Sequence, residues 1–192
     1  MSGELNTVLL VDDDPWLLSA MRAALAGENL RVLTTSDPMQ ALPLIGWEGV
    51  DVLVSDISMP QVSGVDLVVR ASQLFPLVSR VILSGQPTLD QALKAINEGG
   101  VFRFLVKPLD ENALREVVRL AVQHSLQLRR DAVVTQAAAE RKAALAALER
   151  EHPGIAEVPL PGQPHVMTGT RLRALVVQTW PDALAAIVRE LS

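Results

Sequence analysis

The stretch VSDISMP, residues 54–60, decides the fold. It closes the apolar run Val52-Leu53-Val54, which reads as a buried strand. The run stops at Ser55-Asp56; Met59-Pro60 and then Gly64 follow, and such residues end regular structure and support a tight turn. A carboxylate at the end of a buried strand asks for an explanation, and the rest of the chain supplies one.

Similar apolar runs recur on both sides. Strands are expected over residues 7–11, 31–34, 52–55, 80–83 and 102–106. Helices are expected over 15–26, 38–45, 65–74 and 88–99, and from about 110 to 151. Asp14 is placed to cap the first helix, with Pro15 at its first position. Gly99-Gly100 marks the end of the fourth. Alternating strands and helices, with strands apolar nearly throughout, imply an α/β protein with a parallel sheet covered on both faces. The crossovers should be right-handed.

The polar residues fall in a pattern. Asp12-Asp13-Asp14 follows the first strand, Asp56 the third, Ser84 the fourth and Lys107 the fifth. Carboxyl ends of parallel strands lie along one edge of the sheet, where ligands bind. Taken singly, each residue has an ordinary reading as a cap, a turn former or a solvated charge. Together they differ, because converging carboxylates repel and need a cation to stay ionised. Hard oxygen ligands without His or Cys point to Mg2+. A lysine and a hydroxyl beside them suit a phosphoryl group, with a carboxylate as its acceptor.

These residues carry a family resemblance. VLLVDDDP, DISMPQVSG, LSG and FRFLVKP, in that order and spacing, resemble the receiver domain of two-component response regulators. The likeness spans residues 5 to about 125. It implies a flavodoxin-like, five-stranded parallel doubly wound sheet of strand order 2-1-3-4-5. It implies that Asp56 is the phosphoacceptor. Asp12 and Asp13 would be the acid pair holding Mg2+, Asp13 the closer, with Asp56 and the backbone carbonyl of Ser58 as further ligands. Ser84 would be the switch hydroxyl, Lys107 the phosphate-facing lysine and Phe104 the switch aromatic. Pro108 matches the proline that usually follows a cis peptide bond in this family. Ser84 stands where threonine is commoner, and Phe104 where tyrosine is, so the Phe104 switch must work by packing alone. Gly85 leaves room beside the phosphoryl group.

On this reading the chain is a signalling switch, not an enzyme. It takes its phosphoryl group from a histidine kinase or phosphotransfer protein and controls an effector protein. The alternative is a Mg2+-dependent phosphatase of haloacid dehalogenase type, for which Asp12-x-Asp14 would be the DxD. That family needs a later acidic pair at a strand end, and Asp110-Glu111 reads as a helix start.

The remaining residues divide the chain. Residues 1–125 form the receiver, 126–151 an extended helix, and 152–192 a Pro/Gly-rich connector with a short terminal element. Val134, Ala138, Leu145 and Leu148 fall on 3–4 spacings, so the extended helix is expected to dimerise as a coiled coil. Of 192 residues 49% are hydrophobic, enough for a sizeable core. Cysteine is absent, which suits a reducing, cytoplasmic setting. No apolar run is long enough to span a membrane. A net charge of −5 argues against a nucleic-acid partner.

Overall fold

The computed structural model describes residues 5–60, 62–85 and 88–151, without the side chain of Leu89. The connector and terminal element expected at 152–192 lie outside the described residues. The chain divides into two compact units, 1–138 and 139–192. The sheet and the site belong to the first; of the second, the described part is the end of the last helix.

The elements are β1 (Asn6–Val11), α1 (Pro15–Ala24), β2 (Leu30–Thr35), a 3-10 turn (Pro38–Gln40) running into α2 (Ala41–Glu48), β3 (Val52–Asp56), α3 (Gly64–Leu74), β4 (Ser79–Ser84), α4 (Leu89–Asn97), β5 (Arg103–Val106) and α5 (Glu111–Glu151). All pairings are parallel, in the order β2-β1-β3-β4-β5. The second helix differs from the expectation of 38–45. Asp37 caps a 3-10 turn by accepting from the Met39 N–H, and α2 then continues to Glu48. It stops at Gly49, whose φ of 62° is left-handed.

Side-chain alternation explains why the strands are apolar throughout. Val8, Leu10, Val52, Val54, Val81 and Leu83 pack with α1 and α5. Leu9, Val11, Leu53 and Ile82 point the other way, into residues of α2, α3 and α4. Both faces are covered, so both phases of the central strands are mostly apolar. Each fully buried Val or Leu contributes roughly 1.5–3 kcal/mol of transfer free energy.

The helix starts follow the sequence chemistry. The Asp14 side chain accepts from the N–H groups of Trp16 and Leu17, with Pro15 at the first position. Ser63 caps α3, and Thr88 with Gln91 forms a reciprocal capping box at α4. α5 is continuous from Glu111 to Glu151. Its buried residues are Leu114, Val118, Ala121, Val122 and Ser125. Val133, Val134 and Leu145 are exposed.

Candidate phosphoacceptor site

Strand ends place the site. Asp12 directly follows β1, Asp56 and Ser84 are the last residues of β3 and β4, and Lys107 directly follows β5. Parallel register brings these ends level: Asp56 pairs with Leu83, and Ser84 with Val106. The Lys107 N–H donates to the Ser84 carbonyl at 2.8 Å, which carries the ladder one residue past β5. The Lys107–Pro108 peptide bond is cis.

The side chains converge on a lysine. Lys107 Nζ lies 2.6 Å from Asp56 Oδ1 and 2.9 Å from Asp12 Oδ2. The Asp12 and Asp56 side chains are only 1% and 6% exposed, and Lys107 is partly covered. The second oxygen of each carboxylate is also held. Asp12 Oδ1 accepts from the Asp14 N–H and Asp56 Oδ2 from the Ser58 N–H, both at 2.9 Å. Burial lowers the Lys107 pKa, but the hydrogen bonds and charges of Asp56 and Asp12 outweigh it and the net shift is upward. The lysine therefore stays charged.

Ser84 Oγ is buried and has no hydrogen-bond partner among the described residues. A buried hydroxyl without a partner carries a desolvation cost, which an acceptor brought into the site would relieve. Asp13 is exposed beside Asp12. Phe104 is half-buried against the core face that includes Ala95 of α4. Gly85 has open space where a side chain would lie.

The donor set fits a hard divalent cation in type. Asp12, Asp13, Asp56 and the Ser58 carbonyl offer only oxygen. The two buried carboxylates against one ammonium leave a formal negative charge over. Among the described residues no three acidic, His or Cys side chains form a ready-made cage. Mg2+ does not require one, because it keeps several waters and binds through one or two carboxylates.

Comparison with known proteins bears on the family and the fold. The family model of the response regulator receiver domain matches residues 8–119. The chain belongs to that family. Receivers are the phosphoacceptor domains of two-component systems, phosphorylated by histidine kinases, and they generally take up Mg2+ at an acidic pocket. The chain is 32% identical over 140 residues to the transcriptional regulatory protein GlrR of Escherichia coli K12, covering 71% of this chain and 31% of that protein. It is 32% identical over 117 residues to the DNA-binding transcriptional regulator NtrC of the same organism, covering 61% of this chain and 25% of NtrC. It thus spans about a third or less of these relatives. The receiver domain of an HD domain-containing protein from Pseudomonas fluorescens Pf-5 superposes with a TM-score of 0.62 at 33% identity, covering 65% of this chain and 99% of that one. A CheY-like receiver from Methanospirillum hungatei shares the fold, with a TM-score of 0.61 at 23% identity, over 65% of this chain and 98% of its own.

Within this receiver several roles were not legible in the sequence. Pairing of Lys107 with Asp12 as well as Asp56 depends on three strand ends meeting. Two further charges sit at the other end of the sheet. Asp51 is buried, accepts from the Thr7 N–H at 2.8 Å and meets Arg129 of α5 at 2.6 Å. Arg80, the second residue of β4, is also buried. A charge inside the run SRVIL was the available signal for it. Among the described residues, no helix is long and apolar enough to cross a membrane.

Proposed function

We propose that this chain is a cytoplasmic response regulator in which phosphorylation of Asp56 by a histidine kinase or phosphotransfer protein sets the state of the receiver. The observation that carries this reading is Lys107 Nζ held between Asp56 and Asp12, with the Ser84 hydroxyl buried at the end of β4 and without a partner among the described residues. An Asp56 carboxylate oxygen attacks the phosphorus of a phosphohistidine. The P–N bond breaks, its electron pair stays on the imidazole nitrogen, and an acyl phosphate forms on Asp56. Lys107 balances charge on the phosphoryl oxygens, and the Ser84 hydroxyl donates to one of them. Mg2+, held by Asp12, Asp13, Asp56 and the Ser58 carbonyl, would supply further positive charge there when bound. Phe104 then turns inward as Ser84 shifts, and the altered surface controls an effector protein.

The output reading rests on α5. Val133, Val134 and Leu145 expose apolar surface on a helix whose own propensity supports it weakly. A parallel homodimer through residues 126–150 would cover it, with an effector protein as partner. GlrR and NtrC are named as transcriptional regulators. This chain spans only 31% and 25% of their lengths, so their DNA-directed output is not carried over to it.

Acetyl phosphate with Mg2+ tests the site. The full chain should gain one phosphoryl group by intact mass, and Asp56→Asn should gain none. Normal uptake by that variant overturns the assignment. Repeated turnover of free phosphomonoesters would favour the phosphatase alternative.

A further inference from the structure

β4 carries two functional points. Its last residue is Ser84, and through Gly85 the chain leads to Thr88, which caps α4. Near its start is Arg80, whose guanidinium holds the opposite end of the same helix. Arg80 Nε donates to the Gly99 carbonyl at 2.7 Å, and a terminal nitrogen reaches the Gly100 carbonyl at 3.3 Å. The other terminal nitrogen donates to the Val78 carbonyl at 2.7 Å and the Phe75 carbonyl at 3.4 Å. The Gly99 and Gly100 carbonyls follow the Glu98 cap of α4, and the buried guanidinium supplies them with donors. Gly100 has a left-handed φ of 53°, and a Cβ there would lie 3.1 Å from the Arg80 side chain.

The two ends of α4 are held unequally. Among the described residues, its polar ties to other elements fall in its last turn and beyond: Lys94 to Asp66 of α3 at 2.7 Å, and the Glu98 carbonyl to the Ser72 hydroxyl at 3.0 Å. The Val101 N–H closes back on the Ala95 carbonyl. At the other end, the Thr88–Gln91 capping box is internal to the helix. Among the described side chains of α4 only Ala95 is fully buried, and Leu93 and Ile96 are 46% and 51% exposed. Among its described side chains, little apolar burial fixes the helix.

We infer that Arg80 is a positioning residue that makes the C-terminal end of α4 a fixed pivot, so that a change at Ser84 swings the N-terminal half of the helix. This rests on the phosphorylation reading of Asp56. Arg80 touches neither Asp56 nor Lys107, so phosphoryl uptake does not need it. Without the guanidinium, the Gly99 and Gly100 carbonyls lose their tie to β4, and movement started at Ser84 spreads along the whole helix.

Hydrogen–deuterium exchange on the full chain, with and without beryllofluoride and Mg2+, tests the pivot; intact mass after acetyl phosphate reports uptake separately. In the wild type, beryllofluoride should change protection at amides 92–95 by severalfold and leave 98–101 unchanged. Arg80→Met should keep phosphoryl uptake but let the change extend through 98–101, and Arg80→Lys should restore part of the wild-type profile. Should Arg80→Met not fold, the wild-type profile and Arg80→Lys decide the matter. Wild-type protein that takes up phosphoryl but changes evenly along α4, or an Arg80→Met profile identical to wild type, overturns the pivot. No uptake by the wild type overturns the site reading and the pivot with it.

Discussion

A Cβ placed on Gly64 would lie 1.8 Å from the carbonyl oxygen of Asp56. The first residue of α3 thus sits directly against the last residue of β3, and the Gly64 N–H donates to the Ile57 carbonyl at 3.1 Å. This close approach closes the loop that brings the Ser58 N–H onto Asp56 Oδ2. The neighbour is backbone and cannot rotate away. Gly64→Ala should therefore cost about 1–3 kcal/mol of stability, the range for overpacking. It should also slow phosphoryl uptake at Asp56. Urea unfolding and intact mass after acetyl phosphate check both; unchanged values in both would contradict the packing argument.

Ser84→Ala separates chemistry from response. Its hydroxyl is buried and partnerless among the described residues, so removing it should leave the unphosphorylated protein as stable as before, or more stable by roughly 1 kcal/mol. The variant should still take up a phosphoryl group but lose most of the conformational change. The readout is the beryllofluoride-induced shift in near-ultraviolet circular dichroism; a full shift would mean that the signal takes another route.

Asp13→Ala addresses the metal. Asp13 is exposed beside Asp12, and the ion pairs of Lys107 go to Asp12 and Asp56. Loss of the Asp13 carboxylate should weaken Mg2+ binding by more than the roughly 10–100-fold seen when a group that only supports a metal ligand is removed, because Mg2+ takes only one or two carboxylates. Calorimetric titration with Mg2+ measures it, and wild-type affinity would refute the assignment.

His124 makes stability depend on pH. Its ring stacks on Phe102 at 4.4 Å between centroids and 14° between planes, and Nδ1 lies 3.0 Å from the Ser79 hydroxyl. Burial, then the charges of Arg80 and Arg103, push its pKa below the ordinary 6.5. A depressed folded-state value means the unfolded chain binds the proton first. The His124 contribution should be intact above 6.5 and lost as pH falls toward the lower folded value. His124→Gln should flatten that part of the urea-midpoint profile; an unchanged slope would assign it to other groups.

The extended helix predicts association. Val133 and Val134 are 70% and 68% exposed, and Leu145 is 48% exposed. The full chain should sediment as a dimer at micromolar concentration, and truncation at Gln127 should give a monomer. A monomeric full chain would remove the coiled-coil reading.

The sequence by itself determined the fold and which polar residues stand at the strand ends. Periodicity placed each strand and helix of the receiver within a few residues, because both faces of the sheet are covered and the strands are therefore mostly apolar in both phases. The strand-end rule then put Asp12, Asp56, Ser84 and Lys107 on one edge. Only the tertiary structure decided their partnerships. Lys107 reaches Asp12 as well as Asp56, since the ends of β1, β3 and β5 are set by sheet order and register rather than by separation along the chain. The same holds for Arg80, which finds carbonyls brought to it by the return of α4, and for Asp51, which meets Arg129 of α5. Such contacts join residues far apart in sequence, and their energy depends on burial and angle, which exist only once the layers have packed.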